Sequence, residues 1–178
     1  MVNVLVTAAS RHGSTHGIAE AIGHTLESRG FEVTVAPPHE IVDVASYDAF
    51  VIGSAIYVGH WLEPATAFVS HFAPTLSKRP VWLFTSGPVG DPKRGLVKKM
   101  TADPVELPQL LELTNAREHR ILAGKLENKT LHGAQRLSLA VFRGFEGDWR
   151  DWTAIDAWAC EIAAQLAADP YEIAPRAS

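Results

Sequence analysis

The chain has 178 residues, of which 47% are hydrophobic and 20% are charged, and its formal net charge at pH 7 is −4. These values predict one globular domain, residues 1–178, and disfavour broad nucleic-acid binding. Its one cysteine, Cys160, excludes an internal disulfide and is expected to be a buried, unreactive thiol in a reducing compartment. With neither a leader pattern nor an apolar run of membrane-spanning length, the cytoplasm is the expected location.

Apolar runs alternate with helical patterns along the chain. The predicted strands are Asn3–Ala8, Phe31–Ala36, Ala49–Gly53, Val81–Thr85 and Arg120–Leu126. The predicted helices are Thr15–Ser28, Pro64–Leu76, Pro104–Leu113 and Trp152–Ala168. Helices between strands imply parallel pairing, and strands that are apolar throughout imply a sheet covered on both faces. The sequence therefore predicts a three-layer α/β domain.

The turn after the first predicted strand is rich in hydroxyl groups. Its residues are Ser10, Arg11, His12, Gly13, Ser14 and Thr15. A strand, a tight turn and a helix start form an anion site, because unpaired N–H groups and the helix dipole converge there. We therefore interpret these residues as the site of a cofactor phosphate. The alternative is an ordinary turn in which Ser14 or Thr15 caps the helix.

The same turn lacks two common nucleotide-binding patterns. Neither the spaced glycines of G-x-G-x-x-G nor the G-x-x-x-x-G-K-[ST] of a P-loop is present. The turn thus favours a monophosphate held by hydroxyls and backbone amides.

Two further loops follow the third and fourth predicted strands, at the edge where parallel sheets bind ligands. They cover 54–61 and 86–91, and their candidate binding residues are Ser54, Ala55, Ile56, Tyr57, Ser86, Gly87, Pro88, Val89 and Gly90. Small residues, aromatic rings and backbone amides beside a phosphate site suit a flat heteroaromatic ring with a phosphorylated tail. Alternatively, Tyr57 and Trp61 pack beneath the helix that starts near Pro64.

Four side chains near the first predicted helix have metal-ligating chemistry. They are His12, His16, Glu20 and His24. Because His12 precedes the helix and belongs to the candidate phosphate turn, we expect no metal site. The chain also lacks a G-x-S-x-G elbow, and no residue is assigned as a catalytic acid or base.

A basic segment at 91–99 is the sharpest charge feature. Its basic residues are Lys93, Arg94, Lys98 and Lys99. Most such runs are solvated surface. Because this run follows a candidate ring-binding loop, the alternative is that its charge stabilises a reduced, anionic ring or binds an acidic substrate.

With these three loops in this order, the chain resembles the flavodoxin-like family. The family's phosphate loop reads Thr-x-Thr-Gly-x-Thr, where this chain has Ser10-Arg11-His12-Gly13-Ser14-Thr15. The loops at 54–61 and 86–91 match the family's two flavin-flanking loops in placement. The resemblance implies a flavodoxin-like three-layer sandwich, with a five-stranded parallel sheet in the order 2-1-3-4-5 and FMN as cofactor.

A narrower resemblance lies near the end of the chain. Residues 128–150 form an insertion before the last helix, and Asp151-Trp152 follows it, as in the short menaquinone-dependent protoporphyrinogen oxidases. Asp151 is the predicted N-cap of that helix. We expect the insertion either to lie on an anionic membrane surface or to pack on the domain and seal the site.

These resemblances imply an FMN-dependent oxidoreductase, similar to protoporphyrinogen oxidase, that passes electrons from an organic substrate to a quinone or another acceptor. The alternatives are a flavodoxin-type electron carrier between protein partners and a binder of a related deazaflavin. The expected partners are a small organic substrate or a redox protein, and no nucleic acid. Peripheral contact with the inner face of the membrane is a further option. The sequence predicts neither the substrate nor the oligomeric state.

Overall fold

The computed structural model describes residues 1–87, 103–126 and 147–168. The strands are β1 (Asn3–Ala9), β2 (Glu32–Val35), β3 (Ala49–Tyr57), β4 (His60–Trp61), β5 (Val81–Ser86), β6 (Glu118–Leu122), β7 (Lys125–Leu126) and β8 (Gly147–Asp148). The helices are α1 (Ser14–Ser28), α2 (Glu63–Leu76), α3 (Leu107–Thr114) and α4 (Trp152–Ala168), with a 3-10 turn at Pro38–Glu40.

Five strands form one parallel sheet in the order β2-β1-β3-β5-β6. The short β4 pairs antiparallel with the end of β3, and β7 and β8 form a separate antiparallel pair. When only the five main strands are counted, this is the order 2-1-3-4-5. The predicted flavodoxin-like α/β architecture is therefore confirmed.

Helices cover both faces of the sheet. On one face α1 and α4 pack over a core that includes Ile18, Trp82 and Trp158. On the other face α2 and α3 cover Phe50 and Leu83. Neighbouring strand residues such as Trp82 and Leu83 point to opposite faces, which is why both must be apolar. Each such buried side chain contributes roughly 1.5–3 kcal/mol through its removal from water.

The ends of two strands differ from the sequence-based expectation. The prediction that the third strand ends at Gly53 is wrong, because β3 continues to Tyr57. The continuation is stabilised by β4, whose two residues pair with the last two residues of β3. The predicted strand Arg120–Leu126 is instead two strands, β6 and β7. The predicted helix Pro104–Leu113 begins only at Leu107.

The start of α4 agrees with the prediction made for Asp151. Its carboxylate oxygen Oδ1 accepts a hydrogen bond of 2.9 Å from the N–H of Ala154, which is the geometry of an N-cap. None of the helices in the described part of the chain is long and apolar enough to cross a membrane.

Cys160 lies on α4 and is half-buried rather than buried. Its sulfur accepts a hydrogen bond of 3.1 Å from Nη2 of Arg29, which follows α1. The thiol therefore lies at the edge of the contact between α1 and α4, and the prediction of full burial is wrong.

Candidate functional site

The amino-terminal end of α1 lies at the carboxyl edge of β1. Its N-cap is Gly13, in the left-handed conformation with φ of 79°, and no side chain makes a capping hydrogen bond there. No acidic residue occupies the first turn. The alternative in which Ser14 or Thr15 caps the helix is therefore wrong. Within the described residues, the N–H groups of the first turn have no side-chain cap, which is the arrangement of an anion site.

Ser14 makes a contact that its place in the sequence does not suggest. Its Oγ accepts a hydrogen bond of 2.8 Å from the backbone N–H of Lys125, the first residue of β7. A hydroxyl that accepts one hydrogen bond keeps its own hydrogen for donation. Ser14 therefore connects the turn to β7 and still has a donor to offer.

Residues that follow β8 also pack against the start of α1. A Cβ built on Gly17 would lie 2.8 Å from Nη1 of Arg150, so glycine allows the guanidinium to approach closely. Asp148 accepts a hydrogen bond of 2.8 Å from Nε of Arg150. The hydrogen bonds from Arg150 lower the pKa of Asp148, and the paired guanidinium is held beside the helix.

Arg11 connects the turn at 10–15 to the end of β3. Its guanidinium carbon lies 4.6 Å from the centroid of the Tyr57 ring, within the range of a cation–π contact. Burial raises the pKa of Tyr57, and the positive charge of Arg11 opposes this rise in part. The hydroxyl of Tyr57 is therefore protonated at neutral pH and can donate a hydrogen bond.

A two-residue turn joins β3 to β4. Both of its residues have positive φ, 52° at Val58 and 83° at Gly59, as in the tight turns of β-hairpins. A β-branched residue is strained in this conformation, and Val58 is also 96% exposed. Strain of this kind is often found near functional sites.

Glu106 holds the hairpin from the side of α3. One of its carboxylate oxygens accepts the backbone N–H of Trp61 at 3.1 Å, and the other lies 2.6 Å from Nδ1 of His60. Burial by itself would raise the pKa of Glu106, but the hydrogen bonds from His60 and Trp61 outweigh it, and the pKa is lowered. Nearby, the N–H of Val105 donates to the carbonyl of Gly59 at 2.9 Å.

Trp61 is a core residue, with 4% of its surface exposed. It belongs to the cluster covered by α2 and α3. The alternative in which this aromatic ring packs beneath the second helix is confirmed. Tyr57 is half-buried and packs against the same cluster, so the alternative holds in part for this ring as well.

The two candidate ring-binding segments lie side by side. Ala55 pairs with Ser86 in the parallel register of β3 and β5. Gly87 follows with φ of 121°, and a Cβ there would lie 2.9 Å from Cγ2 of Ile56. Its N–H donates to the carbonyl of Leu122 at 2.9 Å. The other predicted residues of this loop, Pro88, Val89 and Gly90, and the basic residues of 91–99 lie outside the described residues.

A cleft of about 600 Å³ opens beside the turn at 10–13. Its lining includes Ser10, Arg11 and Gly13 from the predicted phosphate turn, together with residues near the end of β2 and the start of α2. Residues of 54–57 and 86–87 are not part of this lining. Among the described residues, the turn thus has the cleft on one side and contacts the hairpin through Arg11.

Sequence reasoning missed four residues that shape this region: Glu106, Lys125, Asp148 and Arg150. Each comes from a segment that lies far along the chain from the part it supports, which is the hairpin or the start of α1. Only Asp148 and Arg150 had a local signal in the sequence, since they lie just before the pair Asp151-Trp152.

Comparisons with known proteins agree with this architecture. A family model described as "Flavodoxin domain" matches residues 5–151. A flavodoxin from Streptococcus pneumoniae TIGR4 has a TM-score of 0.61 at 16% identity, covering 92% of this chain and 99% of that chain. The rubredoxin oxygen:oxidoreductase of Desulfovibrio gigas has 0.60 at 14% identity, covering 95% of this chain and 37% of that one.

An azoreductase from Bacillus anthracis str. Sterne has a TM-score of 0.55 at 11% identity, with coverage of 93% of this chain and 100% of that chain. A search of curated proteins found no match. At these identities, the similarity to solved structures shows the fold alone, and a flavodoxin, an oxidoreductase and an azoreductase share it.

Proposed function

The chain belongs to the flavodoxin domain family, and on that premise we propose that it is an FMN-dependent oxidoreductase with its phosphate site at the start of α1. The observation that carries the proposal is the helix end itself, with Gly13 as N-cap, no capping side chain and no acid in the first turn. In contrast, α4 begins at the capping carboxylate of Asp151. A phosphate fits the first helix end, whereas the carboxylate at the second would repel it.

In this proposal the phosphate is bound by hydroxyls, backbone amides and one cation. Ser10, Ser14 and Thr15 supply hydroxyl donors, and residues 14–16 supply N–H groups. Arg11 supplies positive charge from the same turn, while its contact with Tyr57 keeps it beside the hairpin. Ser14 is also fixed by Lys125, so that its donor is oriented before the ligand arrives.

The flavin ring is proposed to lie at the carboxyl ends of β3 and β5, against the segments 54–57 and 86–87. When bound, FMN supplies the electron-transfer chemistry, and the residues of the chain bind it, orient it and exclude water from it. Tyr57 offers a half-buried aromatic ring and a protonated hydroxyl. The register pairing of Ala55 with Ser86 fixes the two segments side by side, so that together they form one edge of the ring site.

The phosphate assignment is tested by removing two hydroxyls without removing volume. In the variant Ser10→Ala/Thr15→Val, the second substitution keeps the shape of a residue that is 1% exposed. Each lost hydrogen bond to a charged group is worth about 1.5–3 kcal/mol, so FMN affinity should fall by roughly tenfold or more for each hydroxyl that is removed. Riboflavin, which has no phosphate, should bind to the variant as it does to the wild type.

The matched control is Ser70→Ala/Thr75→Val, which removes the same two types of hydroxyl from α2, away from the turn. Calorimetric titration with FMN and riboflavin compares the three proteins, and circular dichroism establishes that each is folded. Unchanged FMN affinity in a folded Ser10→Ala/Thr15→Val variant would contradict the phosphate assignment.

We further propose that the organic substrate is a porphyrinogen and that the acceptor is a quinone. The support is the resemblance at 128–152, including the Asp151 cap. Replacing 128–146 by a short Gly/Ser linker should abolish turnover of protoporphyrinogen with a menaquinone analogue and association with anionic liposomes. Residues 147–150 are kept, because Arg150 packs against α1. A deletion variant that loses FMN would show that the insertion is structural.

The same experiments separate the alternatives. A flavodoxin-type electron carrier would reduce or oxidise a protein partner. Neither its wild type nor its deletion variant would turn over the organic substrate. An absorption spectrum of the purified protein distinguishes FMN from a deazaflavin, which absorbs at shorter wavelength. Liposome flotation distinguishes a cytoplasmic protein from one that contacts the inner membrane surface.

A further inference from the structure

A chain of buried hydrogen bonds connects the hairpin to β6. The indole Nε1 of Trp61 donates to Oγ1 of Thr85 at 2.8 Å, and that oxygen lies 2.8 Å from Nε2 of His119. Trp61 and Thr85 are 4% and 1% exposed, and the side chain of His119 is 8% exposed. Buried polar groups are costly unless each is paired, so these three side chains constrain one another.

The pairing within this chain is complete when His119 is neutral. The oxygen of Thr85 accepts from the indole, and its single hydrogen can be donated to Nε2 when that nitrogen carries no proton. In this tautomer the ring proton is on Nδ1, which faces Oδ1 of Asp103 at 3.7 Å, too far for a direct hydrogen bond. Burial lowers the pKa of His119, and the charge of Asp103 opposes this. A neutral imidazole satisfies both observations.

We propose that His119 is a positioning residue for the ring site, because it holds Trp61 and the hairpin in place through Thr85. This inference rests on the proposed flavin function. Trp61 pairs with Ile56 in the hairpin, so the indole sets the position of one ring-flanking segment. Thr85 directly precedes Ser86, where the other segment begins. One imidazole thus acts on both of the segments against which the ring is proposed to lie.

A positioning role for His119 predicts which part of the flavin loses its binding energy, and a merely structural role does not. The network contacts the ring-flanking segments, whereas the phosphate turn has its own support from Lys125. Loss of His119 should therefore weaken FMN and riboflavin by the same factor. The phosphate-turn variant Ser10→Ala/Thr15→Val should weaken FMN alone.

The test compares His119→Leu with His119→Gln. Leucine removes the acceptor, and both flavins should bind about fivefold more weakly, the equivalent of one net hydrogen bond. Glutamine has a side-chain oxygen that can accept from Thr85, and it should restore most of the affinity. His71→Leu, on the exposed face of α2, is the matched control and should leave both affinities unchanged. If His119→Leu does not fold, Thr85→Val removes the hydroxyl at constant shape and must show the same loss.

A second measurement does not need flavin. In protein labelled with ¹⁵N at tryptophan, the indole signal of Trp61, assigned by its absence in Trp61→Phe, should shift in His119→Leu and stay in place in His71→Leu. Wild-type protein that binds neither flavin would overturn both proposals. Wild-type protein that binds both, with unchanged affinities in folded His119→Leu, would overturn the His119 proposal alone.

Discussion

The backbone N–H of Lys125 donates a hydrogen bond of 2.8 Å to Oγ of Ser14, across 111 positions of the sequence. The hydroxyl that a local pattern assigns to phosphate binding is therefore also part of the tertiary framework. It connects β7, which borders the insertion, to the first turn of α1. The turn at 10–15 is thus supported by a strand pair that lies outside the main sheet.

Ser14→Ala should lower the free energy of unfolding by about 1 kcal/mol, because the N–H of Lys125 loses its acceptor. Amide hydrogen exchange at Lys125 should become faster, since the bond that protects it is gone. Urea denaturation and exchange mass spectrometry measure the two effects. Ser14→Thr, which retains the hydroxyl, is the control, and unchanged exchange at Lys125 in Ser14→Ala would show that the contact is not stabilising.

Gly53→Ala should destabilise the fold by overpacking. A Cβ at position 53 would lie between 2.1 and 2.5 Å from three ring atoms of Phe84, which itself packs edge-on against Trp158 at 6.1 Å. Overpacking of a core costs about 1–3 kcal/mol. Thermal unfolding measures the loss, and the double variant Gly53→Ala/Phe84→Leu should recover part of it. Equal stability of Gly53→Ala and wild type would mean that the ring moves without cost.

Val58→Asn should stabilise the protein by about 1 kcal/mol, because asparagine tolerates positive φ and Asn-Gly is the favoured pair in this type of turn. The valine is 96% exposed, so little packing is lost. Val42→Asn is the matched control, since Val42 is 91% exposed and does not have positive φ. Denaturant unfolding should show a gain only at position 58; a loss there would mean that the valine side chain makes a stabilising contact.

His119 should make stability depend on pH. Burial lowers the pKa of His119 in the folded protein, while in the unfolded chain this pKa has the ordinary value of about 6.5. Between these two values the unfolded state binds more protons, so stability rises with pH. The contribution of neutral His119 is therefore complete above about pH 6.5 and is lost as pH falls through the lower, folded value. Asp103, which faces the imidazole, reduces this effect, and the carboxylate of Glu106 is hydrogen-bonded to the adjoining hairpin.

Denaturant unfolding from neutral to acidic pH, compared between wild type and His119→Gln, measures this contribution. The stability difference between the two proteins should become smaller as the pH is lowered. His71→Leu should keep the pH dependence of the wild type. Identical pH dependence in wild type and His119→Gln would contradict the assignment of a neutral, buried imidazole.

Some features of the site were beyond any local pattern. Valine is unfavourable at positive φ, so the pair Val58-Gly59 is not a recognisable turn signal. The sequence therefore predicts a loop where β3 continues to Tyr57. Glu106 and His119 reach the hairpin from positions about 45 and 58 residues after Trp61, and their roles depend on which strands are neighbours. Ser14 and Thr15 are both typical capping residues, yet Gly13 occupies the cap.

The alternation of strands and helices, the two-sided sheet and the hydroxyl-rich turn follow from the sequence alone, because periodicity and burial depend on neighbouring residues. The runs of β1 and β5 are apolar on both faces, and this alone requires helices above and below. The contacts of Lys125 with Ser14 and of His119 with Thr85, in contrast, arise from the tertiary structure. Such contacts depend on strand order and register, which bring together segments that no local pattern relates.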